Sequence, residues 1–113
     1  MTFDVPEHPM PSIIAEAIGL VVAQVPGIRE AYLPQCLIDG GGTAQQVLII
    51  GVDRESQISS IMQQLMPLMR MVLPPSRVLD IIPFQVAAVP RAARIPQCQI
   101  FAAAQESPWW RFW

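Results

Sequence analysis

The sequence has no lysine, one histidine and few charged residues of any kind. Its basic residues are all arginine, and charged residues make up 14% of the 113 residues with a net charge of −2, against about 25% charged residues in an average globular domain. Binding to nucleic-acid phosphates needs several clustered cations, and here only Arg91 and Arg94 are close in sequence, in a predicted solvated loop. The composition therefore excludes nucleic acid as the expected partner, and a surface so poor in charge favours association with protein.

Residues suited to catalysis or metal binding are equally scarce. The inventory is His8, in a proline-rich opening, with Cys36 and Cys98, and this set predicts neither a four-ligand zinc site nor a Cys–His pair. We predict both cysteines to be small buried hydrophobic residues. The glycine run after Asp39 lacks the lysine and the following helix of a phosphate-binding loop, so we expect a turn there. We predict no catalytic residue, no metal, no cofactor and no enzymatic activity.

The chain also lacks a hydrophobic run long enough to cross a bilayer. The longest one, IIAEAIGLVVAQV, contains Glu16 and Gln24 and is shorter than the roughly 20 residues that a spanning helix needs. The opening MTFDVPEHPMPS has acids and prolines where a secretory signal would have basic and apolar residues. We expect a cytoplasmic protein without a membrane span, in which both thiols stay reduced.

What the sequence does contain is an alternation of helix and strand patterns. Apolar residues at helical spacing follow Ser12, a predicted N-cap, and end at Pro26 and Gly27. The stretches IREAYLPQCLI and QQVLIIGVD predict a β-hairpin around DGGG. Pro34 predicts an edge position or a bulge in the first strand, which we expect to have one exposed edge, whereas the continuously apolar VLIIGV predicts a central strand covered on both faces.

A second helix follows, capped by Asp53 or Ser56 and kinked or split at Pro67. Its predicted core face consists of Ile58, Ile61, Met62, Leu65, Met69 and Val72. RVLDIIPF then predicts a third strand that stops at Pro83 and runs parallel to the second strand, because a helix connects them. The Ala and Gln content of QCQIFAAAQ favours a short final helix.

The chain is thus predicted to be a single α+β domain over residues 1–113, with an arm at 1–10 and an aromatic tail at 105–113. The expected fold is a small mixed sheet of three or more strands with two main helices, in the order α-β-β-α-β plus a short C-terminal helix. Three strands leave unpaired edges. Together with the charge-poor surface, this predicts a homodimer.

Two groups of apolar side chains are candidates for protein contact. Met66 and Met71 lie off the core face of the second helix, and methionine adapts its shape to different partners. The tail, SPWWRFW, places an arginine among aromatic residues that each gain about 2 kcal/mol or more when buried. The tail candidates are Trp109, Trp110, Arg111, Phe112 and Trp113. We expect these residues to be covered, either by their own sheet or by a second copy or another protein.

Asp80 is the one carboxylate in an unusual setting. Its strand alternation places it beside Val78 and Ile82, so we predict that it lies on an otherwise apolar surface and needs a partner such as Arg77 or backbone donors. A catalytic role for Asp80 is the alternative.

Most of the chain resembles one bacterial family. The stretches PSIIAEAIGLVVAQVPGIREAYLPQ, VLIIGVD and VLDIIPF, with a closing Pro and aromatics, are similar to the C-terminal domain of SseB, the enhanced serine sensitivity protein. The residues that match the family pattern are Ile28, Ala31, Tyr32 and Leu33 in a V-x-x-AYL strand, Asp80 between aliphatic residues, and Pro108, Trp109 and Trp110 at the end. The resemblance implies the fold and attaches no catalytic mechanism to it.

Taken together, these features favour a non-enzymatic bacterial protein–protein interaction or regulatory domain that forms a homodimer and can bind another bacterial protein. One alternative is a small ligand-binding domain or enzyme that uses Asp80 and an arginine in a cleft. The other is an inhibitor-like or immunity-like partner of a secreted bacterial effector.

Overall fold

The computed structural model describes residues 2–7, 9–37, 45–75 and 79–103. Within them the chain forms β1 Thr2–Asp4, α1 Ser12–Ala23, β2 Ile28–Tyr32, β3 Gln35–Leu37, β4 Gln45–Val52, α2 Ile58–Val72, β5 Asp80–Gln85 and β6 Gln99–Ala102. One 3-10 turn precedes α2, and three more lie in the connection from β5 to β6. The predicted α+β class, with a mixed sheet and two main helices, is confirmed. His8, Arg77, the glycine turn and the aromatic tail lie outside the described residues.

β4 is the centre of the sheet. It runs antiparallel to β2, with Ala31 opposite Ile50, and parallel to β5, with Ile49 opposite Ile82. The start of β4 also pairs with β3, which pairs in turn with β1. The antiparallel hairpin and the parallel third strand are both as predicted.

The segment predicted to form the last helix is a strand instead. β6 pairs antiparallel with β2, with Ala31 opposite Phe101 and Glu30 opposite Ala102. The hydrogen bonds that β6 makes satisfy the second edge of β2, and this tertiary pairing outweighs the helix preference of Ala and Gln. The exposed edge predicted for the first hairpin strand is therefore also wrong, since β2 is paired on both sides.

The prolines interrupt the elements less than the sequence indicates. Pro34 does separate β2 from β3, and its carbonyl accepts a hydrogen bond from the Val47 amide at 3.0 Å. Pro83, predicted to end its strand, lies inside β5, which tolerates it because β5 pairs only with β4 among the described strands and an edge strand can spare one donor. Pro67 lies inside α2 without splitting it.

The predicted side-chain caps are not formed at the described helix starts. Ser12 is the first residue of α1, and Pro11 takes the N-cap position. The 3-10 turn before α2 is preceded by Arg54, so neither Asp53 nor Ser56 caps that helix through its side chain. In α1 the proline carbonyl begins the helix by accepting amide hydrogen bonds at 3.0 and 3.1 Å.

Two apolar clusters cover the two faces of the sheet. Residues 47–52 of β4 are all buried, which confirms the predicted central strand. Leu48 and Ile50 pack under α1 and α2, whereas Val47 and Ile49 face Val89 on the irregular connection between β5 and β6. The helices thus form one layer on the sheet, and within the described ranges several large apolar side chains on their outer sides are exposed.

Candidate protein-interaction surface

Met66 and Met71 lie on the side of α2 that faces away from the hydrophobic core. Their exposed fractions are 40% and 81%, whereas Met69 is buried in the cluster under the helices and Met62 packs against it. The predicted division of these methionines between core and surface is confirmed. At helical spacing, Met66 and Met71 flank the exposed half of α2, and we refer to this half, from Ser59 to Met71, as the α2 face.

α1 exposes two further aliphatic side chains that sequence reasoning missed. Ile13 is 74% exposed and Leu20 is 68% exposed, and their separation of seven residues places them on one stripe of the helix. The signal was available, because α1 carries aliphatic residues on both of its sides rather than on a single core stripe. A helix that is apolar on two sides buries both of them only if a second surface packs against the side that faces away from the sheet.

A groove runs between the outer stripe of α1 and strand β6. We define this α1–β6 groove by the residues that line its main cavity of about 480 Å³: Glu16, Gly19, Leu20, Ala23, Ile100 and Phe101. A second cavity of about 340 Å³ extends the groove toward Ser12 and shares Glu16 and Ile100 with it. The lining is apolar apart from the Glu16 carboxylate and the polar side chains at the second cavity.

The close approach of α1 to β6 at the base of the groove depends on Gly19. β6 has a bulge, because Ala31 pairs with Phe101 and Tyr32 with Gln99, which leaves Ile100 without a partner on β2. The carbonyl oxygen of Ile100 approaches α1 so closely that a Cβ atom at position 19 would lie 2.8 Å from it. Glycine is therefore what lets α1 rest directly on β6.

Asp80 does not lie on a buried apolar surface, and that prediction is wrong. It is the first residue of the edge strand β5 and is exposed, so solvent reaches it where the sheet ends. Its Oδ2 atom accepts a hydrogen bond from Nε2 of Gln45 at 2.8 Å. No arginine among the described residues forms an ion pair with it.

Arg94 lies in an ordered contact rather than in the solvated loop predicted for it. Its Nε atom is 3.1 Å from Oε1 of Glu30, a charge contact without aligned hydrogen-bond geometry. Its Nη2 atom donates to the carbonyl of Val86 at 2.6 Å. Arg94 thus ties the β5–β6 connection to β2, and with Arg91 it borders a cavity of about 350 Å³.

Both cysteines are buried free thiols, as predicted. Burial raises the pKa of the Cys98 thiol, and the charge of Asp4 raises it further. Burial likewise raises the pKa of the Tyr32 phenol, with a smaller contribution from Glu30 that Arg94 opposes. A thiol that holds its proton in this way is a poor nucleophile.

These two pKa shifts predict a loss of stability at alkaline pH. Tyr32 and Cys98 keep their protons to higher pH in the folded chain, so the unfolded chain releases its protons first and the free energy of unfolding falls until the pH passes the folded pKa values. Chemical denaturation from about pH 7 to about pH 10.5 spans the ordinary range of both groups. The Tyr32→Phe/Cys98→Ala double variant should show a flatter decline, and an equal slope in the two proteins would contradict the assignment.

The fold and this surface define a class: an α+β domain with one helix layer on a mixed sheet and apolar side chains on the outer sides of its helices. The chain belongs to the SseB protein C-terminal domain family, whose pattern matches residues 1–98. This confirms the family resemblance; the likeness of the aromatic tail lies beyond the matched residues and stays a prediction. No curated protein and no solved structure matches the chain. None of the described helices is long and apolar enough to cross a membrane.

Proposed function

We propose that this protein is a non-enzymatic interaction domain of the bacterial cytoplasm that forms a homodimer through the α2 face. The observation that carries the proposal is the exposure of Met66 and Met71 on either flank of that face. Burying a large apolar side chain contributes about 1.5–3 kcal/mol. Two copies that cover these methionines therefore gain a driving force that the separate subunits lack.

The composition of the α2 face suits a protein contact. Around the circumference of α2, the surface between the two methionines carries exposed residues of mostly neutral character: Ser59, Gln63, Pro67 and Arg70. Arg70 is the one charged residue of these four. Little charge has to be desolvated when such a face is covered. Methionine side chains can also repack against a second surface, which supports binding to another bacterial protein through the same face.

The polar side chains of the described residues support binding rather than catalysis. Asp80 is held by Gln45, Glu30 by Arg94, and Asp53 by Arg29 at 3.3 Å. Each carboxylate is already engaged with a neighbour at or near the surface. This arrangement favours structural roles for these groups over the paired acid and base that a hydrolytic or transfer reaction needs.

Placing charge on the α2 face should separate the two copies. We expect the wild-type chain to sediment as a dimer and the Met66→Glu/Met71→Glu variant to sediment as a monomer, because a carboxylate buried in an interface is costly unless it is paired. Sedimentation velocity over a series of concentrations measures this directly.

The matched control adds the same two charges to the opposite side of the domain. Ala88 and Ala92 are exposed on the β5–β6 connection, so the Ala88→Glu/Ala92→Glu variant should remain a dimer. A monomeric wild-type chain, or equal dissociation of both variants, would disprove dimerisation through α2.

A further inference from the structure

The α1–β6 groove and the outer stripe of α1 form a second apolar surface, separate from the α2 face. Its aliphatic side chains include Leu20 and Ile13, the two most exposed residues of α1 among the large hydrophobic ones. The main cavity of about 480 Å³ is a shallow depression that is widely open to solvent, so it suits side chains laid across the surface rather than an enclosed small ligand. Such a groove is large enough to accept an aromatic side chain.

The chain itself continues from the end of this groove. Phe101 lines the main cavity, and two residues later the amide of Ala103 donates to the carbonyl of Arg29 at 2.7 Å. Residues 104–113 follow directly. Ten residues can extend about 30 Å, whereas Leu20 and Ile13 are separated by about 10 Å along the helix axis.

We propose that the C-terminal segment 104–113, which contains the aromatic tail, binds the α1–β6 groove of its own subunit and covers the outer stripe of α1. The chemistry of the two parts is complementary. The tail offers three tryptophans and a phenylalanine around Arg111, and the groove offers apolar walls around the Glu16 carboxylate. The indoles cover Leu20 and Ile13, and the guanidinium of Arg111 pairs with Glu16.

Because the tail is covalently joined to the strand that borders the groove, it has an advantage over any other occupant. A segment joined by a short flexible link has an effective concentration near its site in the millimolar range. The segment begins three residues after Phe101, so its link to the groove is short. A second copy or a foreign protein has to exceed that concentration to displace it.

Tryptophan fluorescence tests this proposal without added labels, because all three tryptophans of the chain are in the tail. We expect the native emission maximum to lie at shorter wavelength than in denaturant, and to move to longer wavelength in Leu20→Glu and in Ile13→Glu. Both positions are largely exposed, so the fold should persist, and far-ultraviolet circular dichroism checks this. The control Ala88→Glu introduces the same charge on the β5–β6 connection, where Ala88 is exposed, and should leave the emission unchanged.

Dilution distinguishes a tail that binds its own subunit from a tail that binds a second copy. Emission that stays constant over a roughly hundredfold dilution supports binding within one subunit, whereas emission that moves to longer wavelength on dilution shows a tail exchanged between copies and overturns the proposal. A native emission maximum equal to that in denaturant, or a shift that is the same in Ala88→Glu, also overturns it. The proposal does not depend on dimerisation through α2. Sedimentation measures the mass and so tests the dimer, whereas tryptophan emission tests binding of the tail to the α1–β6 groove.

Discussion

Replacing Leu65 with alanine is expected to lower the free energy of unfolding by about 2–5 kcal/mol. Leu65 is fully buried at the centre of the cluster that joins α2 to α1 and the sheet. The substitution removes most of an aliphatic side chain from a buried cluster that also contains Leu48 and Ile50 of β4, and a close-packed interior relaxes only partly into such a cavity. A chain of this size has only about 5–15 kcal/mol of stability in all, so the loss is a large share of it.

The neighbouring residue provides the matched control. Met66→Ala lies one position further along the same helix but on the exposed side. In the separate subunit, below the protein concentration at which dimers form, we expect it to change the free energy of unfolding by less than about 0.5 kcal/mol. Urea denaturation of both variants, followed by circular dichroism, gives the comparison. Equal losses at the two positions would mean that α2 is oriented differently on the sheet.

Gly19→Ala is expected to destabilise the protein by up to about 2 kcal/mol, against the usual preference of helices for alanine. In a free helix the substitution gains about 1 kcal/mol. Here the new Cβ atom would lie 2.8 Å from the carbonyl oxygen of Ile100, and overpacking of this kind costs about 1–3 kcal/mol. The obstacle is a backbone carbonyl between two residues, Gln99 and Phe101, that pair with β2, so it has little freedom to move and α1 must move away from β6.

Ser59→Ala separates the two contributions. Ser59 is exposed in the first turn of α2, so alanine there changes helix propensity without a steric conflict and should be neutral or slightly stabilising. Thermal unfolding of both variants measures the difference. A melting temperature for Gly19→Ala at or above that of the wild type would show that α1 does not rest on the Ile100 carbonyl.

Several parts of the fold could be predicted because they depend on local patterns. The continuous apolar run of β4 can be stable only where both faces are covered, and it is the buried central strand. The helical spacing in α2 separated buried Met69 from exposed Met71, because the period of a helix fixes which residues share a side. The interruption at Pro34 was predicted as an edge position or a bulge in one strand, and the structure has a break between β2 and β3 there, because proline has no amide hydrogen to donate.

The surface was harder to predict. Ile13 and Leu20 lie on the second aliphatic side of α1, which the sequence displays, but helical periodicity alone does not show whether that side is covered by another part of the fold. The α1–β6 groove needs β6 to be a strand, and its Ala and Gln content favours a helix. Asp80 was expected on an apolar face because the sequence could not show that its strand begins at the margin of the sheet.

By itself, therefore, the sequence determined the class of the domain, its central strand, the inward side of α2 and the scarcity of charge, all of which depend on composition and short-range periodicity. Only the tertiary structure decided that β6 fills the second edge of β2, that Pro67 and Pro83 lie within regular elements, and that Gly19 lets α1 rest on β6. The physical reason is that these features depend on hydrogen bonds and contacts between segments distant in the chain, whose energies exceed the preferences of single residues.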